Sequence, residues 1–402
     1  MDLMPAPVKE KSLWRNGSFF RLFVAHAISL VGNSFTAVAL GLLAHELVGA
    51  AVSEVVGVTL TIRIIVVVFI SPFSGQLADF FSVRATLLAA DLFRALIVLG
   101  FLFVDALWQI YVLAFSLNFA SSIFTPVYKA VIPGVVPEKL YPKALSFGAV
   151  AYDLANIAGP ALAALLIATF GFRGNFVANA LAFVASAVLI FGLPYFRAEK
   201  AKKKGKQKQE TALLFGLRAM TGRKKLRAAL VYALKVSVIS GFVLVATIDY
   251  IKNELQLPDI YFAWITLAYG TGSVTGALAY GQLTGAFRRQ AVFLASPLLI
   301  VVLFVAALDQ GFVPLAVAWF AAGAAQVCLG IRGNELLAAS SVGDERPHIY
   351  AAHFSLSHVG WGVTYPLAGF LTSSLGFPAA ALIFALLLLA VSLTGLFFRA
   401  GT

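Results

Sequence analysis

Charged residues and cysteine are both scarce in this sequence, and each shortage excludes a class of protein. Only 12% of the 402 residues are charged, whereas a soluble globular domain needs about a quarter. Cys328 is the single cysteine, which excludes an internal disulfide and a thiolate-rich metal site. Hydrophobic residues make up 60% of the chain. We therefore predict an integral membrane protein.

Signatures of catalysis are missing as well. The sequence has no nucleophile elbow, no glycine-rich phosphate loop and no H-E-x-x-H pair. These absences argue against an enzyme, and we expect neither a catalytic site nor a bound cofactor or resident metal. A transporter and a non-transporting membrane scaffold are the two classes left.

Apolar runs of membrane-spanning length recur along the chain. A spanning helix needs roughly 20 mostly apolar residues, because lipid offers the backbone no hydrogen-bond partners. Runs bounded by charge, glycine and proline predict twelve spans at 19–46, 52–74, 83–104, 107–131, 143–170, 174–194, 226–249, 258–281, 288–308, 313–339, 349–371 and 377–398. The predicted fold class is therefore all-α and membrane-embedded.

Basic residues are concentrated in a few of the predicted loops. Segment 195–227 carries twelve Lys and Arg, and three more precede the first span. The loops of the opposite side hold Arg173 and Lys252 among mainly acidic residues. Because loops rich in Lys and Arg stay inside, we predict that both termini are cytoplasmic in a bacterial-type inner (plasma) membrane.

Segment 195–227 also accounts for most of the net charge of +12. Its twelve bases and two acids give 12 − 2 = +10. Its lysines have no interleaved aromatic residues, so we expect contact with anionic lipid headgroups rather than with nucleic acid. Leucines at helical spacing in residues 211–222 predict a short helix lying in the membrane interface.

Short motifs recur along the chain at one separation. The matches are Gly75-Gln76-Leu77 with Gly281-Gln282-Leu283 and Pro160 with Pro366, both at an offset of 206, and Gly171-Phe172 with Gly376-Phe377 at 205. A shared offset predicts two homologous six-helix halves, residues 1–194 and 226–402, joined by a basic linker at 195–225. In such proteins two bundles rock about a site near the bilayer midplane.

The segment after the second predicted span resembles a signature of the major facilitator superfamily, G-x-L-A-D-R-x-G-R-R/K. The matching residues are Gly75, Leu77, Ala78, Asp79 and Arg84, whereas Phe80, Ser82 and Val83 depart from the pattern. The resemblance implies a gating role, in which the Asp docks at the amino end of a helix of the other bundle, where the helix dipole favours a carboxylate. In the second copy we predict Gly281, Arg288 and Arg289 as the corresponding motif, with Gly285 in place of Asp79.

Two further stretches narrow the resemblance within the superfamily. Phe124–Tyr128, followed by Ile132-Pro133, is similar to drug and siderophore exporters. The runs 151–160 and 353–358 are similar to nickel-resistance exporters. The resemblance implies secondary active transport by alternating access, with proton-coupled efflux of a small organic solute as the leading function and divalent-cation export as the alternative. A monomer is expected.

Ionisable residues inside spans are candidates for solute and proton binding, because each costs on the order of 2.5 to 3.5 kcal/mol to insert. Asp153 lies in the fifth span with no base one helical turn away. Burial disfavours a charged carboxylate, which suits a group that binds and releases protons. The alternative is a structural ion pair with Lys235, itself a candidate. Glu335 is a further one, expected either to pair with Arg332 or to line the inner vestibule.

Three histidines in the spans could also face a transport path. His26 lies in the first span, and His353 and His358 lie in the eleventh. His353 and His358 are five residues apart, which places them too far around a helix to share one ion. A metal site would therefore need several spans, for example His26, Asp153 and one of this pair. The alternative is a histidine satisfied by a neighbouring hydroxyl.

Other polar or small residues in the spans are expected to be structural. Arg63, Lys129 and the Asp91 and Arg94 pair, three residues apart, are predicted to be ion pairs or interface anchors. The G-x-x-x-G spacing of Gly272 and Gly276 predicts a close helix contact.

Overall fold

A computed structural model describes residues 13–48, 52–193, 212–258, 260–308, 311–343 and 345–399, and it contains helices but no strands in these residues. The helices are α1 (Gly17–Val48), α2 (Val52–Ile70), α3 (Ser74–Phe80), α4 (Val83–Gly100), α5 (Leu107–Val135), α6 (Tyr141–Phe191), α7 (Ala212–Gly222), α8 (Lys224–Asp249), α9 (Ile260–Gln282), α10 (Gly285–Ala306), α11 (Phe312–Ala339), α12 (Glu345–Leu375) and α13 (Phe377–Arg399). Each of the twelve predicted spans coincides with one of these helices, the fifth and sixth both within α6.

Nine helical segments of the described residues are long and apolar enough to cross a membrane. The predicted spans 143–170, 258–281 and 349–371 are helical but are not separately among the nine. All three contain glycine, serine, threonine and tyrosine, and 349–371 also contains two histidines, all of which lower the hydropathy. Such composition is typical of helices that face other helices or a polar path instead of lipid.

Two turns show the repeat in the backbone. Gly171 interrupts α6 with a φ of 69°, and Gly376 separates α12 from α13 with a φ of 80°. Both angles lie in the left-handed region, which glycine adopts without a steric penalty. The predicted spans 143–170 and 174–194 therefore meet at a turn, and the two glycines matched in sequence both have a positive φ.

Contacts divide the described residues into two units. The first takes in the described residues up to Tyr141, those of Leu154–Ala219, and Ser341–Ser355. The second takes in Pro142–Asp153, Met220–Ser340 and the described residues from Leu356 onward. Most of each predicted half falls in one unit, but the beginnings of α6 and α12 are exchanged. The division at 195–225 into independent bundles stays a prediction.

In the first unit α5 packs on α1, α2 and α4. Its buried core includes Phe101 and Phe176, whose rings stack at 5.1 Å. The predicted interfacial helix is present as α7, although its Gly216 is buried and lies against His348 at the start of α12. Protein contacts therefore help to hold α7 in place. The basic run 194–211 before it lies outside the described residues.

In the second unit α11 packs on α8, α9 and α10. A Cβ at Gly272 would meet the backbone carbonyl of Phe320, and one at Gly276 would lie 2.6 Å from that of Ala324. The close contact predicted from the G-x-x-x-G spacing is thus confirmed between α9 and α11. This approach brings polar side chains of the two helices together.

Candidate functional site

Asp153 is the last residue of the α6 segment that belongs to the second unit, and it is half-buried. The hydroxyl of Ser273 on α9 lies near its carboxylate. Ser273 is 1% exposed, and its oxygen accepts from Gln326 Nε2 of α11 at 3.3 Å. A three-residue polar chain therefore runs from α11 through α9 to the carboxylate.

A second polar contact lies beside this chain. Tyr269 of α9 is close to Asp153 and to Tyr365 of α12. The Tyr269 hydroxyl is 3.1 Å from that of Ser240 on α8. Four helices of the second unit thus contribute polar groups around one carboxylate, and aromatic rings supply much of the surrounding surface.

Lys235 of α8 is 5% exposed and donates from Nζ to the Ser296 hydroxyl of α10 at 2.9 Å. Asp153 and Lys235 therefore lie near hydroxyls on different helices. The ion pair between them stays a prediction.

Glu335 of α11 belongs to a charged network in the second unit. Its Oε2 accepts from Arg332 at 2.9 Å and from the Tyr280 hydroxyl at 3.1 Å. Its Oε1 lies 3.6 Å from Arg288 of α10. The predicted pairing with Arg332 is present, and Arg288 and Tyr280 extend it. Two arginines therefore compensate the charge of Glu335, as is typical of a structural ion-pair network.

His26 of α1 lies in a cluster of aromatic and basic side chains in the first unit. Its ring stacks on Tyr128 at 4.1 Å. Arg94 lies 4.1 Å from the centre of the Phe124 ring and forms an ion pair with Asp91, which also accepts from Ser186 at 2.7 Å. The Asp91 and Arg94 pair predicted from their spacing is present, with both side chains buried.

The other histidines lie on α12 and are half-buried. The His358 ring is 5.9 Å from that of Trp361, and its Nδ1 is 3.4 Å from the Ser357 hydroxyl. His353 falls in the first unit and His358 in the second. Among the described side chains there is no group of three or more His, Cys, Asp or Glu placed to hold a metal ion.

The first glycine motif packs tightly within the first unit. A Cβ at Gly75 would meet the imidazole of His348 and lie 3.0 Å from its Cα. Leu77 is half-buried. Arg84 donates to the carbonyl of Leu193 at 3.0 Å and lies over the Phe191 ring. The side chain of Asp79 lies outside the described residues, so its gating role stays a prediction.

The second glycine motif makes an equivalent contact within the second unit. A Cβ at Gly281 would lie 2.8 Å from the Ser146 hydroxyl oxygen near the start of α6. Arg288 joins the Glu335 network, whereas Arg289 is exposed. Each repeated glycine therefore lies against the early turns of a long helix, α12 for Gly75 and α6 for Gly281.

Comparison with known proteins identifies the fold. A sequence model of the Major Facilitator Superfamily matches residues 22–248 and again 228–401. The chain belongs to the Major Facilitator Superfamily. It is a multi-pass membrane transporter by family, and the resemblance of the Gly75 motif is confirmed.

Curated members of this superfamily are similar to the chain over part of its length. The uncharacterized MFS-type transporter YfiS of Bacillus subtilis is 29% identical over 278 residues, 68% of this chain and 66% of YfiS. The multidrug resistance protein MdtG of Escherichia fergusonii is 25% identical over 176 residues, 43% of this chain and 42% of MdtG. The chain thus matches less than two thirds of the length of either relative.

Solved structures of the superfamily share the fold over nearly the whole chain. The human organic anion transporter MFSD10 (TETRAN) has a TM-score of 0.79 at 14% identity, covering 96% of this chain and all of that one. A likeness at this identity shows the fold alone.

Sequence reasoning missed several members of the site. Ser273, Gln326 and Tyr269 were not among the candidates, because none is ionisable at neutral pH. A signal for Ser273 was present, since it follows Gly272 directly and the close approach of α9 to α11 brings it near α11.

Proposed function

We propose that this transporter exports a small organic solute in exchange for protons, with both termini in the cytoplasm. Asp153 is the proton-carrying group. The observation that carries the proposal is the closeness of the Ser273 hydroxyl to the Asp153 carboxylate inside a membrane-embedded unit.

A hydroxyl partner suits a carboxyl group that changes its protonation state. Ser273 can donate to the charged carboxylate and can accept from the protonated acid, because a hydroxyl is both donor and acceptor. Gln326 stabilises the serine oxygen in either case. The carboxyl group at Asp153 can therefore interact with Ser273 in both protonation states.

The export direction and the organic solute are supported by likeness to the MdtG proteins, which are named for multidrug resistance. The tyrosines near Asp153 offer a surface for a partly apolar solute. No described group of ligands favours the divalent-cation alternative, so we do not propose it.

Replacing Asp153 with Asn tests the proposal in everted membrane vesicles. A panel of organic ions that includes ethidium and 1-naphthoate is offered with and without a proton gradient. Wild-type vesicles should concentrate at least one compound when the interior is acidified. The Asp153→Asn variant should lose this accumulation but keep exchange of the compound at equal pH, because exchange needs no net proton movement.

Two matched variants serve as controls. Asp153→Glu keeps a titratable carboxyl and should retain gradient-driven accumulation. Glu46→Gln removes an exposed carboxylate of α1 and should have no effect. Undiminished accumulation by the Asp153→Asn variant would show that another group carries the proton.

A further inference from the structure

Lys129 of α5 is a cation inside the first unit that the proton-coupling mechanism does not use. It lies 22 residues after the start of α5, about 33 Å along a helix that rises 1.5 Å per residue. Its Nζ is 5.7 Å from the centre of the Phe354 ring on α12. Its charge acts on His26 of α1, together with that of Arg94 on α4. Lys129 therefore lies beside residues of α1 and α12 in its unit, and its predicted role as part of an ion pair or as an interface anchor stays a prediction.

The charges around Lys129 do not cancel. Arg94 is compensated by Asp91, with which it forms a buried ion pair. Among the described residues no carboxylate forms an ion pair with Lys129. Lys129 is thus a cation without an ion-pair partner among the described residues, and it lies near the far end of a helix that crosses a hydrocarbon layer about 30 Å thick.

The second half of the repeat shows the same position with its counter-ions supplied. Glu335 stands at the repeat offset from Lys129, since 335 − 129 = 206. Glu335 is paired with Arg332 and lies near Arg288. The two residues stand at equivalent places in the two halves. The charge of Glu335 is neutralised by nearby arginines, whereas Lys129 has no ion-pair partner among the described residues.

We propose that Lys129 binds the anionic group of the transported solute. This inference rests on the proposed transport of an organic solute and names its class, a monovalent organic anion with a flat apolar body. The Phe354 ring of α12 lies 5.7 Å from the cation, and His26 of α1, whose ring stacks on Tyr128, lies close enough for the lysine charge to act on it. Lysine presents a compact point charge, so a carboxylate, sulfonate or phosphonate monoanion fits the same place.

The side chains near the cation are partly accessible. The side chains of Lys129, His26 and Phe354 are each only half-buried, although they lie on three different helices of one unit. The buried Nδ1 of His26 has no hydrogen-bond partner among the described residues. An aromatic wall with few polar groups is typical of small-molecule sites.

Equilibrium dialysis of the purified transporter with 1-naphthoate and its neutral analogue 1-naphthamide tests the inference. Wild-type protein should bind the anion about tenfold more tightly than the amide, the effect of one charge-assisted contact. Lys129→Met should bind both equally, and Lys129→Arg should keep the preference. Arg63→Met, which removes an exposed cation of α2, should match the wild type. The ratio within each variant is independent of how much protein is active.

Equal binding of anion and amide by the wild type, or an unchanged ratio in Lys129→Met, would overturn the inference. Displacement of naphthoate by phosphatidylglycerol in a Lys129-dependent manner would also overturn it, because the ligand would then be a lipid headgroup. The assay needs no proton gradient. If Asp153→Asn fails to uncouple transport, the proposed proton-coupled function is wrong. The ratio of naphthoate to naphthamide binding still tests separately whether Lys129 binds the anion.

Discussion

The loops that begin at Gly75 and Gly281 have the same backbone role but carry different charges. Each glycine lies against the early turns of a long helix, where a Cβ would collide with His348 or with Ser146. After the first glycine come Asp79 and Arg84, and Arg84 bonds to a backbone carbonyl. After the second come Gly285 and Arg288, and Arg288 approaches Glu335.

The two copies of the loop are therefore alike in the packing of their glycines and different in the contacts of their charged residues. Both copies keep a glycine where a Cβ would lie too close to a residue of the facing helix. A charge can change sign once its partners change, as Lys129 and Glu335 illustrate. Variants that act on packing should therefore behave alike in the two halves, whereas variants that act on charge should not.

The largest difference between the halves is expected where charge is most deeply buried. Asp91→Asn leaves Arg94 uncompensated in a place where it is only 2% exposed. We expect a loss of on the order of 3 kcal/mol in the free energy of unfolding. Glu335→Gln should cost about 1 kcal/mol or less, because Arg332 is 37% exposed and can be solvated. Thermal unfolding in detergent measures both.

The double variant Asp91→Asn with Arg94→Met provides the control for this comparison. Removal of both buried charges should recover most of the stability that Asp91→Asn loses. Equal losses for Asp91→Asn and Glu335→Gln would mean that burial does not separate the two networks.

The sequence is sufficient to predict the helices, the repeat and the contact of Gly272 and Gly276. Long apolar runs have only one way to satisfy their backbone in lipid, so the spans follow from composition. It is not sufficient to predict the partners of Asp153. Ser273 is 120 residues away, since 273 − 153 = 120. Which face of α9 meets α6 depends on the rotation of packed helices, which no local pattern determines. The packing of α7 on His348 could not be predicted for the same reason.

Adding one methyl group to each repeated glycine tests the shared packing. Gly75→Ala and Gly281→Ala should each cost about 1 to 3 kcal/mol, as overpacking does. Gly75→Ala should be the more harmful, because one of its obstacles is the Cα of His348 and backbone cannot rotate away. Thermal unfolding gives the two losses.

Ser146→Ala separates the two glycine contacts. It removes the hydroxyl oxygen that would lie 2.8 Å from a Cβ at Gly281 and should restore part of the stability of Gly281→Ala. The same change should do nothing for Gly75→Ala. Rescue of both, or of neither, would contradict a local clash at Ser146.

The smallest effects are expected at the two glycine turns, where the halves again use different charges. After Gly376, Glu254 Oε1 accepts from the backbone nitrogen of Phe377 at 2.6 Å and so caps α13. After Gly171, Arg173 pairs with Glu46 at 3.3 Å, and both side chains are nearly half exposed. Glu254→Met should cost about 1 kcal/mol, as loss of a helix cap does, because methionine has no oxygen to accept from the Phe377 nitrogen. Arg173→Met should cost a few tenths of a kcal/mol, in the range of about 0 to 1 kcal/mol for exposed ion pairs.

Thermal unfolding at low and at high salt distinguishes the two variants, because salt screens the exposed ion pair and should abolish only the effect of Arg173→Met. A loss of stability in Arg173→Met that does not depend on salt would mean that the first turn depends on packing of the arginine side chain over Phe172. The turn at Gly171 would then be stabilised by packing, and the turn at Gly376 by a helix cap.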